Sequence, residues 1–127
     1  MSTLDQEIAS LSTCYIVEAG TSGLWKYRKW SDGTAECWML SNDVTLSFSS
    51  WGTMYEAPLG SFNFPSGLFI DIPCVSAQTV VKSGNAVMST ETSIVTKDKI
   101  NSVYAIRPNT VTGTVAKASI MAKGRWK

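Results

Sequence analysis

LWKYRKWSDGTAECWML, residues Leu24–Leu40, is the stretch whose reading decides the fold. Asp-Gly is a preferred pair for a two-residue type I′ turn, because both central residues of that turn need φ > 0. A turn at Ser31–Thr34 therefore predicts a β-hairpin with Trp30 opposite Ala35, Lys29 opposite Glu36 and Arg28 opposite Cys37. It continues with Tyr27 opposite Trp38, Lys26 opposite Met39 and Trp25 opposite Leu40. One predicted face carries Trp25, Tyr27, Trp38 and Leu40 with a Lys29–Glu36 ion pair; the other carries Trp30, Ala35, Cys37 and Met39 beside Lys26 and Arg28. Aromatic and opposite-charge pairs across such a ladder contribute about 0.2–1 kcal/mol each. A slip of one residue would turn every side chain to the other face. Both faces are apolar enough that one should enter a core and the other should meet a further element or a second subunit, which makes Trp30 and Met39 candidate interface residues.

The totals narrow the class. A chain of 127 residues is expected to form one main domain and to bury about two-thirds of its unfolded surface. The net charge of +1 argues against binding nucleic acid by phosphate neutralisation. The longest charge-free run, Ala57–Ile70, is interrupted by Pro58, Gly60, Pro65 and Gly67, so no membrane-spanning helix is expected. The opening MSTLDQEIAS is acidic and carries no secretory signal pattern. Cys14, Cys37 and Cys74 are odd in number and widely spaced. They fit neither a zinc site nor a disulfide framework, and read as small buried thiols of a protein made in a reducing cytoplasm.

At the start, Met1, Leu4, Ile8 and Leu11 fall on a and d positions of a heptad. Residues 1–12 read as a short amphipathic helix capping a core, or as the last turns of a helical stalk that ends a longer fibre and enters a globular head over residues 13–127. On the second reading Leu4, Ile8 and Leu11 are interface residues. Strands are then expected at Cys14–Glu18, in the hairpin, at Val44–Ser49, Leu68–Ile72 and Val75–Lys82, in three pieces between Ala86 and Arg107, and at Thr114–Ala122. Between them, Ser50–Gly67 reads as a long irregular loop. Leu59, Phe62 and Phe64 should tuck inward from it. Trp51 and Tyr55 remain the aromatics least obliged to be buried, and hence the candidate ligand contacts. Many short strands with regular turn punctuation indicate an all-β antiparallel sandwich or jelly roll.

Chemistry-bearing patterns are sparse. The chain has no histidine, which removes the commonest general base and the commonest zinc ligand. Phosphate-binding glycine motifs and a calcium loop are missing too. Scattered carboxylates read as surface acids, with Glu36 the ladder partner of Lys29; Asp71, between Ile70 and Ile72, reads as either the outward member of an alternation or a partnered buried acid. The expectation is a protein with no catalytic residue, no metal and no cofactor.

The string W-x-Y-R-K-W-x-x-G-x-A-E-C-W, Trp25 to Trp38, resembles a hairpin of C-terminal domains in phage and prophage tail-associated structural proteins. Phe64-Pro65 with Leu68-Phe69 and Pro73, and the ending Arg107-Pro108 through Gly124-Arg125-Trp126-Lys127, resemble a central and a closing strand of the same family. Together these pieces span Tyr15 to the C-terminus. The resemblance implies a β-sandwich head of a tail fibre, baseplate or minor tail protein located in the virion. It implies a homotrimer attached to the rest of the fibre, and recognition of a host-surface polysaccharide or cell-wall glycan, with no nucleic acid and no membrane insertion. The alternative it leaves is a purely structural trimerisation or folding domain that caps the fibre; a depolymerase fragment is a third reading.

Overall fold

Ten antiparallel strands lie in two sheets among the described residues of the computed structural model, which describes residues 14–85, 87 and 89–127. The expected helix over residues 1–12 lies outside them. In chain order the strands are β1 Ile16–Ser22, β2 Trp25–Trp30, β3 Thr34–Leu40, β4 Val44–Thr45 and β5 Ser49–Trp51. They continue with β6 Met54–Asn63, β7 Cys74–Ser83, β8 Ser89–Val95, β9 Lys99–Arg107 and β10 Val115–Arg125.

The first sheet is organised about β10. Its Ser119–Arg125 half pairs with β3, its start pairs with β4, and Val115–Lys123 pairs with β7. Because a strand has only two edges, β3 and β4 share one side of β10 and β7 takes the other; β2 and β1 then continue outward from β3. The second sheet runs β5-β6-β9-β8. Val44, Leu46 and Phe48 all turn towards the core. The single strand expected at Val44–Ser49 is nevertheless broken, because the chain crosses there from the first sheet to the second.

Alternation builds the core. On β10 Ala116, Ala118, Ile120 and Ala122 are buried; on β3 Ala35, Cys37 and Met39; on β9 Ile100, Val103 and Ala105. The larger volume comes from Trp25, Phe64, Leu68 and Phe69. The Trp25 and Phe64 rings lie 5.6 Å apart and Phe64 meets Phe69 edge-on at 5.3 Å. Trp25 Nε1 donates to the Asn63 carbonyl at 2.6 Å, tying the first sheet to the end of β6.

The hairpin exists, with its register one residue away from the sequence expectation. Lys29 faces Ala35, Arg28 faces Glu36, Tyr27 faces Cys37 and Lys26 faces Trp38. The loop is the three residues Ser31–Gly33. Gly33 N–H donates to the Trp30 carbonyl at 3.0 Å, and Asp32 Oδ1 accepts from Thr34 N–H at 2.9 Å. Gly33 alone in the loop has positive φ, at 97°. A type I turn followed by a left-handed glycine is the usual three-residue hairpin loop, so the type I′ expectation fails at Asp32. The correction gathers Trp25, Tyr27, Ala35, Cys37 and Met39 on the inner face and Lys26, Arg28, Trp30, Glu36, Trp38 and Leu40 on the outer one.

Three further expectations change. Most of the long loop expected at Ser50–Gly67 is strand β6. Its Pro58 is tolerated because β5 covers only Met54–Glu56, so the missing N–H meets no ladder partner on that side. A register shift follows between Pro58 and Gly60. The strand expected at Leu68–Ile72 is a loop: Leu68 N–H donates back to the Pro65 carbonyl, Leu68 and Phe69 are buried, and Ile70 and Ile72 are exposed. Of the three thiols expected to be buried, only Cys37 is; Cys14 and Cys74 are exposed.

Candidate functional site

The sequence candidates do not converge. Trp51 is 48% exposed at the end of β5. It pairs with Met54, whereas Tyr55 pairs with Ser50 one step further, so the two aromatics point to opposite faces of the second sheet. Tyr55 shares the core-facing alternation of Ala57 and Leu59. Met39 is a core residue at 6% exposure, on the face opposite Trp30, so Trp30 and Met39 form no common surface. The physical reason is the one-residue register correction at Gly33. Leu4, Ile8 and Leu11 lie outside the described residues.

The outer face of the first sheet brings charged and aromatic side chains together. Register sets its rows. Leu40 and Ser119 form one, with Gln78 beyond; Lys26, Trp38, Met121 and Ser76 form the next; Arg28, Glu36, Lys123 and Cys74 form a third. Met121 is 61% exposed and Leu24 and Leu40 50% each. A hollow of about 600 Å³ lies among Leu24, Lys26, Trp38, Leu40, Ser119 and Met121. A smaller one of about 250 Å³ is lined by Trp38, Met121, Cys74, Ser76 and Lys123.

Arg28 holds this face together. Its guanidinium carbon lies 5.5 Å from the Trp30 ring centroid and 5.0 Å from that of Trp38, within cation–π range of both. Its Nε donates to Glu36 Oε1, which also accepts from Trp30 Nε1 at 2.9 Å. Partial desolvation pushes the Glu36 carboxyl up. The Trp30 and Arg28 hydrogen bonds and the nearby Arg28 and Lys123 charges outweigh it, so the group sits below its ordinary value. Glu36 is therefore an anion already matched by Arg28. Lys26 and Lys123 are exposed and make no ion pair among the described residues.

Beyond this face the hairpin tip is clamped. Trp126 Nε1 donates to the Trp30 carbonyl at 2.7 Å, Trp126 N–H donates to the Gly33 carbonyl at 2.9 Å, and Arg125 Nη2 donates to the Asp32 carbonyl at 3.3 Å. At the other end of β3, Asp43 bridges Lys82 at 2.7 Å and Lys117 at 3.2 Å. Those hydrogen bonds, Lys82 first, hold its carboxyl below the ordinary range despite some desolvation. Cys37 is driven by burial to about 12. Among the described residues no group of three or more His, Cys, Asp or Glu side chains is placed to hold a metal ion, and no helix is long and apolar enough to cross a membrane. The expected register did not bring together the Arg28–Glu36–Trp30 cluster. The signal was present: only the observed register opposes an arginine to a glutamate while gathering Ala35, Cys37 and Met39 behind Trp25 and Tyr27.

These features define a two-sheet antiparallel β-sandwich whose tryptophan-rich outer sheet face is left uncovered by the described residues. The fold is similar to that of a solved N-truncated R1-type pyocin tail fibre, with a TM-score of 0.62 over 98% of this chain and 97% of that one. Sequence identity is 12%, so the likeness is one of fold. No protein-family model and no curated protein matches the chain.

Proposed function

We propose that the chain is a non-catalytic head domain of a tail fibre in a phage or phage-like particle, homotrimeric, and binding a saccharide of the host surface. The observation that carries this reading is the likeness to a tail fibre over nearly the whole of both chains. The hairpin string Trp25–Trp38 supports it independently, through its resemblance to tail-associated proteins. Trimerisation is supported by the a/d spacing of Met1, Leu4, Ile8 and Leu11, which suits a helical seam leading into the sandwich and joining it to the rest of the fibre. Three heads on one fibre would turn a weak site into strong attachment, since avidity can exceed single-site affinity by about 10²–10⁴.

Light scattering on the full chain tests the assembly: a particle of three times the 13.8 kDa chain mass is expected, and a monomer at micromolar concentration overturns it. Attachment is tested by incubating the labelled protein with a panel of bacterial strains. Binding to a subset, competed by polysaccharide extracted from those cells, is expected. A folded trimer that binds no strain leaves the structural reading, a domain that only caps the fibre.

A further inference from the structure

We infer that the outer face of the β1–β2–β3–β10–β7 sheet, open among the described residues, is the saccharide site, and that it takes an anionic glycan, with Trp38 as the stacking platform and Lys26 and Lys123 as the charge partners. The inference rests on the saccharide-binding reading above and adds where the sugar lies and what charge it carries.

Shape gives the first argument. A hollow of about 600 Å³ lies within the 300–1,000 Å³ usual for a small-ligand site, and it combines an apolar wall with a few polar groups. Its neighbour of about 250 Å³ shares Glu36, Trp38 and Met121 with it, so these three stand between two adjoining hollows, the Glu36 charge being held by Arg28. A chain of sugar rings passing over Trp38 would occupy both. Neighbouring strands are about 4.8 Å apart, so the row from Lys26 through Trp38 to Met121 spans about 10 Å.

Preorganisation gives the second. An exposed tryptophan on a flexible loop would lose rotamer freedom on stacking against a ligand. Trp38 sits mid-strand with Arg28 held at its ring, and Arg28 is itself held by Glu36 and by the Trp30 ring. The platform exists before any ligand arrives, which removes part of the ordering cost of binding. Trp51, at a strand end beside the Gly52 turn, has no comparable bracing.

Charge gives the third and selects the ligand class. The face sets three cations, Arg28, Lys26 and Lys123, against the single anion Glu36, so positive charge is left over, with Lys26 beside Trp38 in its row and Lys123 one row on from Met121. A neutral glycan would leave both lysines unused, whereas a carboxylate- or phosphate-bearing one would meet them. Polar hydrogen-bonding groups, Ser119 and Ser76, lie in adjoining positions of the same rows.

Affinity electrophoresis of the full chain through gels containing polygalacturonate, a phosphomannan or neutral dextran tests the inference. Retardation by one or both polyanions and not by dextran is expected, weakening as salt is raised; the polyanion that retards it assigns carboxylate or phosphate as the recognised group. Trp38→Ala should weaken retention at least tenfold. The double variant Lys26→Glu/Lys123→Glu changes only exposed side chains, keeps the fold testable by circular dichroism, and should abolish retention. Equal retention in dextran overturns the anionic class while leaving saccharide binding intact. Retention lost in Trp51→Ala but kept in Trp38→Ala overturns the location and again leaves saccharide binding intact. Trp38→Ala converting an oligomer to a monomer shows that the face is a subunit contact and overturns the inference. A folded oligomer that binds neither these gels nor any cell overturns both this inference and the attachment reading.

Discussion

The two faces of the β2–β3 hairpin are made from the same kinds of residue and put to opposite uses. Each carries tryptophan, and each has an aromatic side chain in contact with a polar partner. Inside, Trp25 is 6% exposed and its indole N–H donates to the backbone carbonyl of Asn63. Outside, Trp30 and Trp38 stay partly exposed and are braced by charge through Arg28 and Glu36. Burial thus makes the inner ring a matter of stability, and partial exposure leaves the outer rings free to recognise something.

The sharpest way to break that contrast is to truncate one tryptophan on each face. Trp25→Ala removes a packed ring from the Phe64–Phe69 cluster and should cost about 3–5 kcal/mol in urea unfolding. Trp38→Ala should cost under about 1 kcal/mol, the usual worth of an exposed cation–π contact. Comparable losses would mean that the outer face is a second core covered by something. The tip is the next test. Gly33→Ala places a side chain at φ 97°, where the added carbon would lie 2.5 Å from Arg125 Nη2 and 3.0 Å from the Lys127 carbonyl. A left-handed conformation alone costs a non-glycine residue about 1–2 kcal/mol, so a loss of at least that size is expected by thermal melting.

Smaller effects follow from charge. Glu36 and Asp43 have folded-state values below those of the unfolded chain. Their stabilisation is therefore present at neutral pH and disappears as pH falls through the depressed folded values. Between pH 7 and pH 3 the urea midpoint of the wild type should drop further than those of Glu36→Gln and Asp43→Asn, which have less left to lose. Last, the hairpin's inner thiol should be chemically silent. Titration with a thiol reagent at pH 8 should modify Cys14 and Cys74 in the folded protein and reach Cys37 only after unfolding, because burial holds Cys37 near 12.

Much of this architecture was readable from period-two alternation. Val75–Lys82 and Thr114–Ala122 became β7 and β10 with small changes at their ends. Leu59 and Phe64 were placed inside, as found. The turn residues alone could not give the hairpin register, because Asp32-Gly33 serves a two-residue loop and a three-residue loop equally well; the deciding signal lay in the strands, where only one register opposes Arg28 to Glu36. Trp126 and Arg125 then close on the tip and hold the three-residue loop. Pro58 and Gly60 likewise hid β6, since only the pairing partner shows that Pro58 lies beyond the end of β5. The candidate site suffered the same way: a slip of one position put Met39 outside and split Arg28 from Glu36.

The middle strand of the larger sheet also has a kinetic meaning. β10 joins β3 and the buried Ser41 hydroxyl across 77 residues of sequence, the Ala118 amide donating to Ser41 Oγ at 2.7 Å. Local hairpins such as β2–β3 form in about 1–10 μs, but a sheet that must await so distant a partner belongs with topologies that fold in milliseconds to seconds. During that interval the greasy side of an already folded ribbon stands open. Chains crowded at high concentration would then stick through Trp25 and Met39 before the late arrival shields them.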